Sequence, residues 1–165
     1  MQLTLYTDYS LRTLVYLSLN QDRSTTISEI AEHFNISRNH LVKVVHNLSS
    51  KNYILSSRGK GGGLKLARAP ELIKIGDVIL DTEPNFHMVE CFNPATANNC
   101  SVEPICRLKS ILGKTTDQFL NTLNQYNISD VLRSNEKKTN SDTIQLSPEI
   151  QKSLEDATDI GSQQK

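Results

Sequence analysis

Apolar residues first recur at helical spacing between Thr4 and Leu19, where Leu11, Leu14, Val15 and Leu19 fall near one face. A denser pattern follows in "TTISEIAEHFNISRNHLVKVVHNLSSKNYI". Thr26 and Glu29 have the spacing of a capping box, in which side chains satisfy the free backbone donors at a helix start. Ile27, Ile30, Ala31 and Phe34 then line one side of a short helix. "FNIS" reads as a turn, and Ser37 can cap a second helix. In that helix Leu41, Val44, Val45 and Leu48 recur at three- and four-residue steps. Two short helices joined by a tight polar turn make a helix-turn-helix.

The period then changes. "YILSS" and "LKLAR" are short strands flanking "RGKGGG", a hairpin with a glycine-rich tip of the kind that forms the wing of a winged helix. The glycines could instead cradle a nucleotide phosphate, but there is no GxxxxGK[ST] pattern and no helix directly after them. "PELIKIGDVILD" reads as a further helix starting at Pro70. A loop from about Glu83 to Cys106 follows, with Pro104 in the first turn of a long helix from about Ile105 to Tyr126. Leu108, Ile111, Leu112, Phe119, Leu123 and Tyr126 give that helix one apolar stripe, read as a dimerisation face because so small a chain has little else to cover it. The expected fold is mainly α with a small β wing. Residues 1–80 form a winged helix-turn-helix DNA-binding domain, 81–106 a ligand-bearing loop, and 107–133 a dimerisation helix. Residues 134–165 form a polar, disordered tail with at most a weak helix around Pro148 to Asp156, dispensable for folding and DNA binding.

Bulk composition adds little, but charge placement adds much. The 165 residues are 37% apolar, enough for one domain and an appendage. No apolar run approaches membrane-spanning length, and the N-terminus lacks the pattern of a signal peptide, so a cytoplasmic protein is expected. The net charge of zero conceals an asymmetry: residues 1–68 carry nine Lys/Arg against four Asp/Glu, and residues 69–133 five against eight. From Arg38 to Arg68 there are seven basic residues and no acid, which favours a polyanion partner over an ordinary solvated face.

A recognition helix presents its N-terminal side chains to base edges in the major groove. Here those are Ser37, Arg38, Asn39 and His40, with Lys43 one turn on. Arg suits guanine and Asn adenine through paired hydrogen bonds. Arg58 and Lys60 flank the wing tip and can enter a minor groove, while Lys51, Lys65 and Arg68 are suited to phosphates. His33 and His46 receive no role.

All three cysteines fall in "CFNPATANNCSVEPICRLK", spaced Cys-x8-Cys-x5-Cys as Cys91, Cys100 and Cys106. In a reducing compartment such a group favours metal or redox chemistry over disulfides, and an odd count leaves one thiol unpaired in any case. A closed tetrahedral site or cluster wants a fourth ligand. His87, Glu90 and Glu103 are near in sequence. Cys106, placed in the first turn of the long helix, would have its thiolate favoured by the helix dipole.

Five stretches in order, "YTDYSLRTLVYL", "ISRNHLVKVVHNLS", "RGKGGGLKLA", "IKIGDVI" and "CSVEPICRLKSIL", together resemble NsrR-type regulators, nitric-oxide-sensing repressors related to the iron–sulfur regulator IscR. The resemblance covers residues 1–133. It implies a homodimer that binds a two-fold site in double-stranded DNA, with one iron–sulfur cluster per subunit, 4Fe–4S with 2Fe–2S as the alternative. It also implies that Cys91, Cys100 and Cys106 bind the cluster. The fourth ligand would be a carboxylate from the first helix of the other subunit, here Asp8, oriented by Arg12 one turn along. Nitrosylation of the cluster by nitric oxide would then relieve repression of nitric oxide detoxification genes. IscR-type proteins carry a histidine three residues after the last cysteine; this chain has Lys109, which disfavours that reading. Two alternatives stay within the superfamily: an iron–sulfur-biogenesis regulator, and a zinc- or thiol-responsive one with no cluster. An electron carrier or enzyme would want four cysteines or a catalytic pair, and the chain shows neither.

Overall fold

The structure is a computed structural model describing residues 2–59, 61–96, 100–132, 148 and 152. By its contacts the chain divides into Met1–Leu132 and Arg133–Lys165, and every element below lies in the first unit. Lys60 and the tail expected over 134–165 fall outside the described residues, apart from positions 148 and 152.

Helix α1 spans Leu5–Leu19 and starts at Thr4, whose hydroxyl accepts from the Thr7 N–H. Its buried stripe runs through Ser10, Thr13, Leu14 and Leu17, a regular i, i+3, i+4, i+7 face. Half of that face is hydroxyl-bearing: Ser10 and Thr13 donate back to the carbonyls of Tyr6 and Tyr9 at 2.8 and 2.7 Å, so they enter the core with no unpaired donor. Of the apolar face expected here, Leu14 is buried and Leu11 and Val15 pack against the core, but Leu19 is 62% exposed, and apolar spacing alone missed the hydroxyl-bearing half of the inner face.

Helix α2 covers Ile27–Phe34 and α3 covers Arg38–Ser50. Thr26 caps α2 by accepting from the Glu29 N–H. The Glu29 carboxylate accepts from the Tyr16 hydroxyl at 3.0 Å and pairs with Arg23, and chiefly the Arg23 bond holds its carboxyl down at about 2. The turn rests on Asn35, which takes a left-handed conformation (φ 52°, ψ 45°) that asparagine tolerates better than most residues. Ser37 occupies the N-cap position of α3, but its hydroxyl makes no capping bond, contrary to expectation. Leu41, Val44, Val45 and Leu48 are all buried, as their spacing requires.

Strands β1 (Ile54–Ser57) and β2 (Gly63–Leu66) pair antiparallel, with Ile54 opposite Leu66 and Ser57 opposite Gly63. Gly59, at φ +100°, supplies a backbone state at the tip that a side chain would oppose. Two backbone bonds between Thr25 and Leu64, 3.1 and 2.8 Å, fasten the wing to the entry of α2.

The helix expected from Pro70 is two elements. A 3-10 turn covers Pro70–Leu72, Ile73 is extended, and α4 runs Ile75–Thr82. The break arises because the backbone at 73–75 pairs with residues 126–128: Ile128 N–H donates to the Ile73 carbonyl at 3.0 Å, and Ile75 N–H to the Tyr126 carbonyl at 3.1 Å. The long helix is likewise shorter than expected. Pro104 belongs to a separate 3-10 turn, Glu103–Ile105, and α5 spans Leu108–Leu123.

Helices α4 and α5 meet at Gly76, where an added Cβ would lie 2.4 Å from Asn124 Oδ1 and 2.7 Å from the Leu120 carbonyl oxygen. Gly76→Ala is therefore expected to destabilise the protein by about 1–3 kcal/mol, the usual cost of overpacking, in spite of alanine's better helix propensity. Urea unfolding measures it; an unchanged or raised midpoint would show that the two helices separate freely.

Candidate functional site

Most of the residues expected to face DNA gather at the start of α3. Ser37, Arg38, Asn39, His40 and Lys43 are all exposed along its first turns, and Arg58 is exposed at the end of β1. Arg38 donates through Nε to Ser28 Oγ at 3.3 Å, a long bond that leaves the rest of the guanidinium free. Lys65 and Arg68 are exposed along and after β2.

Two contacts join this face to α1, and neither was foreseen. The Tyr9 ring stacks beside His40 with centroids 6.4 Å apart, and the Tyr6 hydroxyl donates to the Lys43 carbonyl at 3.3 Å. Tyr6 and Tyr9 stand three apart and so share a helix face; that spacing was the available signal. Asp8 lies between them. Arg12 Nε is 2.9 Å from both Asp8 carboxylate oxygens, and its guanidinium carbon lies 5.8 Å from the centroid of Phe34, the last residue of α2. The Asp8–Arg12 pairing thus matches expectation, and Arg12 continues it to the helix-turn-helix.

The cysteine loop leaves α4 at Glu83, whose carboxylate accepts from Thr4 N–H and Thr4 Oγ1 at 2.8 and 3.0 Å. Cys91 is half-buried in a 3-10 turn, Glu90–Phe92; Cys100 and Cys106 are exposed, and none of the three is in a disulfide. Cys106 ends the Glu103–Ile105 turn with extended backbone (φ −82°, ψ 122°), two residues ahead of α5. It is not in the first turn of that helix, because its own extended backbone separates the 3-10 turn from Arg107, the N-cap of α5. Among the described residues no three His, Cys, Asp or Glu side chains converge on one point, so the lone chain does not bring Asp8 and the cysteines together.

Of the rival ligands, Glu103 lies 3.6 Å from Lys109, so the lysine found in place of histidine engages one of them. His87 lines an open cleft of about 350 Å³ with Thr4, Glu83, Phe86 and Met88. Of the apolar stripe expected on the long helix, Leu108 and Ile111 are exposed on α5 (Ile111 at 58%) and Tyr126 is exposed beyond its end, while Leu112, Phe119 and Leu123 are partly buried.

The model of the Rrf2 family, described as an iron-dependent transcriptional regulator, matches residues 3–134. The chain belongs to the Rrf2 family. It is 46% identical over 133 residues to the HTH-type transcriptional regulator NsrR of Bacillus licheniformis, covering 80% of this chain and 92% of the relative. The NsrR of Halalkalibacterium halodurans is 45% identical over 146 residues, covering 88% and 95%. Among solved structures, T. potens IscR superposes with a TM-score of 0.65 over 84% of this chain and 93% of its own, at 20% identity, a likeness of fold.

This Rrf2 protein is thus a winged-helix, DNA-binding transcriptional regulator rather than an enzyme, with NsrR regulators as its relatives. No described helix is long and apolar enough to cross a membrane. Its donor set suits an iron–sulfur cluster in kind: three free thiols on one loop, with a half-exposed carboxylate elsewhere in the chain. Closing such a site requires the loop to rearrange, a second copy to contribute, or both.

Proposed function

We propose that this chain is a cytoplasmic, homodimeric repressor that senses nitric oxide through one iron–sulfur cluster per subunit, 4Fe–4S in type. Cys91, Cys100 and Cys106 of one copy would hold the cluster with Asp8 of the other. The observation that carries the reading is the trio of free thiols on one loop in a chain so close to NsrR. A bound cluster supplies irons open to attack by a small diatomic, most readily at a carboxylate-held corner, where the ligand is weaker than a thiolate.

The chain's own residues do the rest. The exposed apolar residues of α5, Leu108 and Ile111, with Tyr126 just beyond its end, form the contact between copies. That contact sets the distance between the two α3 helices. A two-fold operator is read only when they sit about one DNA turn apart, near 34 Å. Asp8 lies between Tyr6 and Tyr9, which touch α3, so a pull on Asp8 reaches the reading helix directly. Release of Asp8 frees α1, shifts α3 and lifts repression; the genes released are those of nitric oxide detoxification.

Anaerobic purification with visible spectroscopy and iron counting tests the reading. Brown protein that bleaches with nitric oxide is expected. Colourless protein holding stoichiometric zinc after anaerobic reconstitution with iron would sink it, and would favour the zinc- or thiol-responsive alternative.

Asp8→Ala isolates the fourth ligand. The cluster is expected to assemble on three thiolates with an altered spectrum, a changed rate with nitric oxide and weaker operator binding. Asp8→Cys is expected to react more slowly, because thiolate holds iron harder. If Asp8 serves only its surface pair with Arg12, worth about 0.2–0.5 kcal/mol, all three readouts stay at wild type. The fourth ligand then lies among His87, Glu90 and Glu103.

A further inference from the structure

Tyr53, at 2% exposure, is the bulkiest fully buried side chain among the described residues, and its hydroxyl needs an acceptor. That acceptor is Asp81 Oδ2, at 2.7 Å. The second oxygen, Asp81 Oδ1, accepts from Lys51 Nζ at 3.0 Å. The Arg68 guanidinium carbon lies over the Tyr53 ring, 4.5 Å from its centroid. Burial opposes ionisation of Asp81, but the bonds from Tyr53 and Lys51 outweigh it and hold its carboxyl below the usual range.

Position gives this cluster its interest. Lys51 is the C-cap of α3 and Tyr53 immediately precedes β1. Asp81 is in the last turn of α4, two residues before Glu83, where the cysteine loop departs. Among the described residues, the hydrogen bonds from α4 to this corner both end on Asp81. One turn back on α4, Asp77 accepts from Asn124 of the α5 C-cap at 3.2 Å. The root of the loop is therefore tied to α5 through Asp77, to the start of α1 through Glu83, and to the end of the recognition helix through Asp81.

We propose that Asp81 is a positioning residue for regulated DNA binding: it fixes the root of the cysteine loop to the C-terminal end of α3, so that a change in the loop moves the reading helix. A helix moves as a rod, so displacement at Lys51 is felt at Arg38 and Asn39. Separation at Asp81 would strand the buried Tyr53 hydroxyl without a partner. That penalty makes α4 and α3 move together rather than part. The role rests on the nitric oxide reading above, and adds a route through this subunit's own α4 to the one through Asp8.

The test uses full-length protein reconstituted anaerobically with iron and sulfide. Operator Kd is measured before and after nitric oxide for wild type, Asp81→Ala, Tyr53→Phe and Asp81→Asn. The ratio of the two values is expected to fall about fivefold or more in Asp81→Ala and Tyr53→Phe, the scale of an allosteric coupling. Their visible spectra and bleaching rates should match wild type. Asp81→Asn still accepts from Tyr53 and is expected to retain most of the ratio. If Asp81→Ala fails to fold, Tyr53→Phe, which removes one oxygen, carries the test. A lowered Tm with a wild-type ratio in both variants would reduce Asp81 to a packing residue and overturn the proposal. A wild-type ratio of one would instead refute the nitric oxide reading, and this role with it.

Discussion

Cys91→Ser, Cys100→Ser and Cys106→Ser combined are expected to give a colourless protein whose operator binding no longer responds to nitric oxide. Serine keeps the shape of cysteine but not a thiolate, so iron loses three of its four proposed ligands. The change should not unfold the chain. Cys100 and Cys106 are exposed and Cys91 half-buried, and none belongs to the core formed by Leu14, Leu41, Leu48 and Ile54. Substitutions at such positions usually stay within about 0.5 kcal/mol. Circular dichroism and a urea midpoint near wild type would therefore separate loss of the cofactor from loss of the fold. A triple variant that still releases its operator on exposure to nitric oxide would place the sensor elsewhere in the chain.

Arg38→Ala with Asn39→Ala is expected to abolish operator preference while leaving the protein folded and bound to DNA in general. Both side chains are exposed at the start of α3, and the tie of Arg38 to Ser28 Oγ at 3.3 Å is weak enough to give up to a base. Each good bidentate base contact contributes about 1–3 kcal/mol of discrimination, so the pair accounts for roughly thirtyfold or far more in selectivity. Phosphate binding by the basic stretch should persist, with log K falling at a slope of roughly −5 or steeper against log salt for a dimer neutralising six or more phosphates. Lys65→Gln, at an exposed position suited to a phosphate, serves as contrast, weakening all sequences alike. Unchanged selectivity in the double variant would mean that another element reads the operator.

The helix-turn-helix was legible because its signals are local. Leu41, Val44, Val45 and Leu48 are spaced by one or two turns, and all four are buried. The wing followed from two short strands around a glycine-rich tip for the same reason. The candidate reading residues could be named from their place at the start of a helix whose own pattern announced it, and Arg12 could be paired with Asp8 by one-turn spacing. The three cysteines shared one loop in the sequence, which was enough to suggest the chemistry of a site.

Contacts between distant residues decided the remainder. The helix expected from Pro70 is broken because Ile73 and Ile75 spend their backbone groups on residues 126–128, more than fifty positions away. Cys106 lies outside α5 because the Glu103–Ile105 turn ends first and Cys106 is extended before the helix starts beyond Arg107. The inner face of α1 is half hydroxyl, and burial of Ser10 and Thr13 depends on what packs over them as well as on their back-bonds. Asp81 reads in sequence as one more surface acid; the fold sets it 2.7 Å from the buried Tyr53 hydroxyl, 28 residues away. Periodicity reports which face of an element is apolar. Which polar group must meet which partner depends on how the elements pack, since a buried donor takes the acceptor that packing brings within reach.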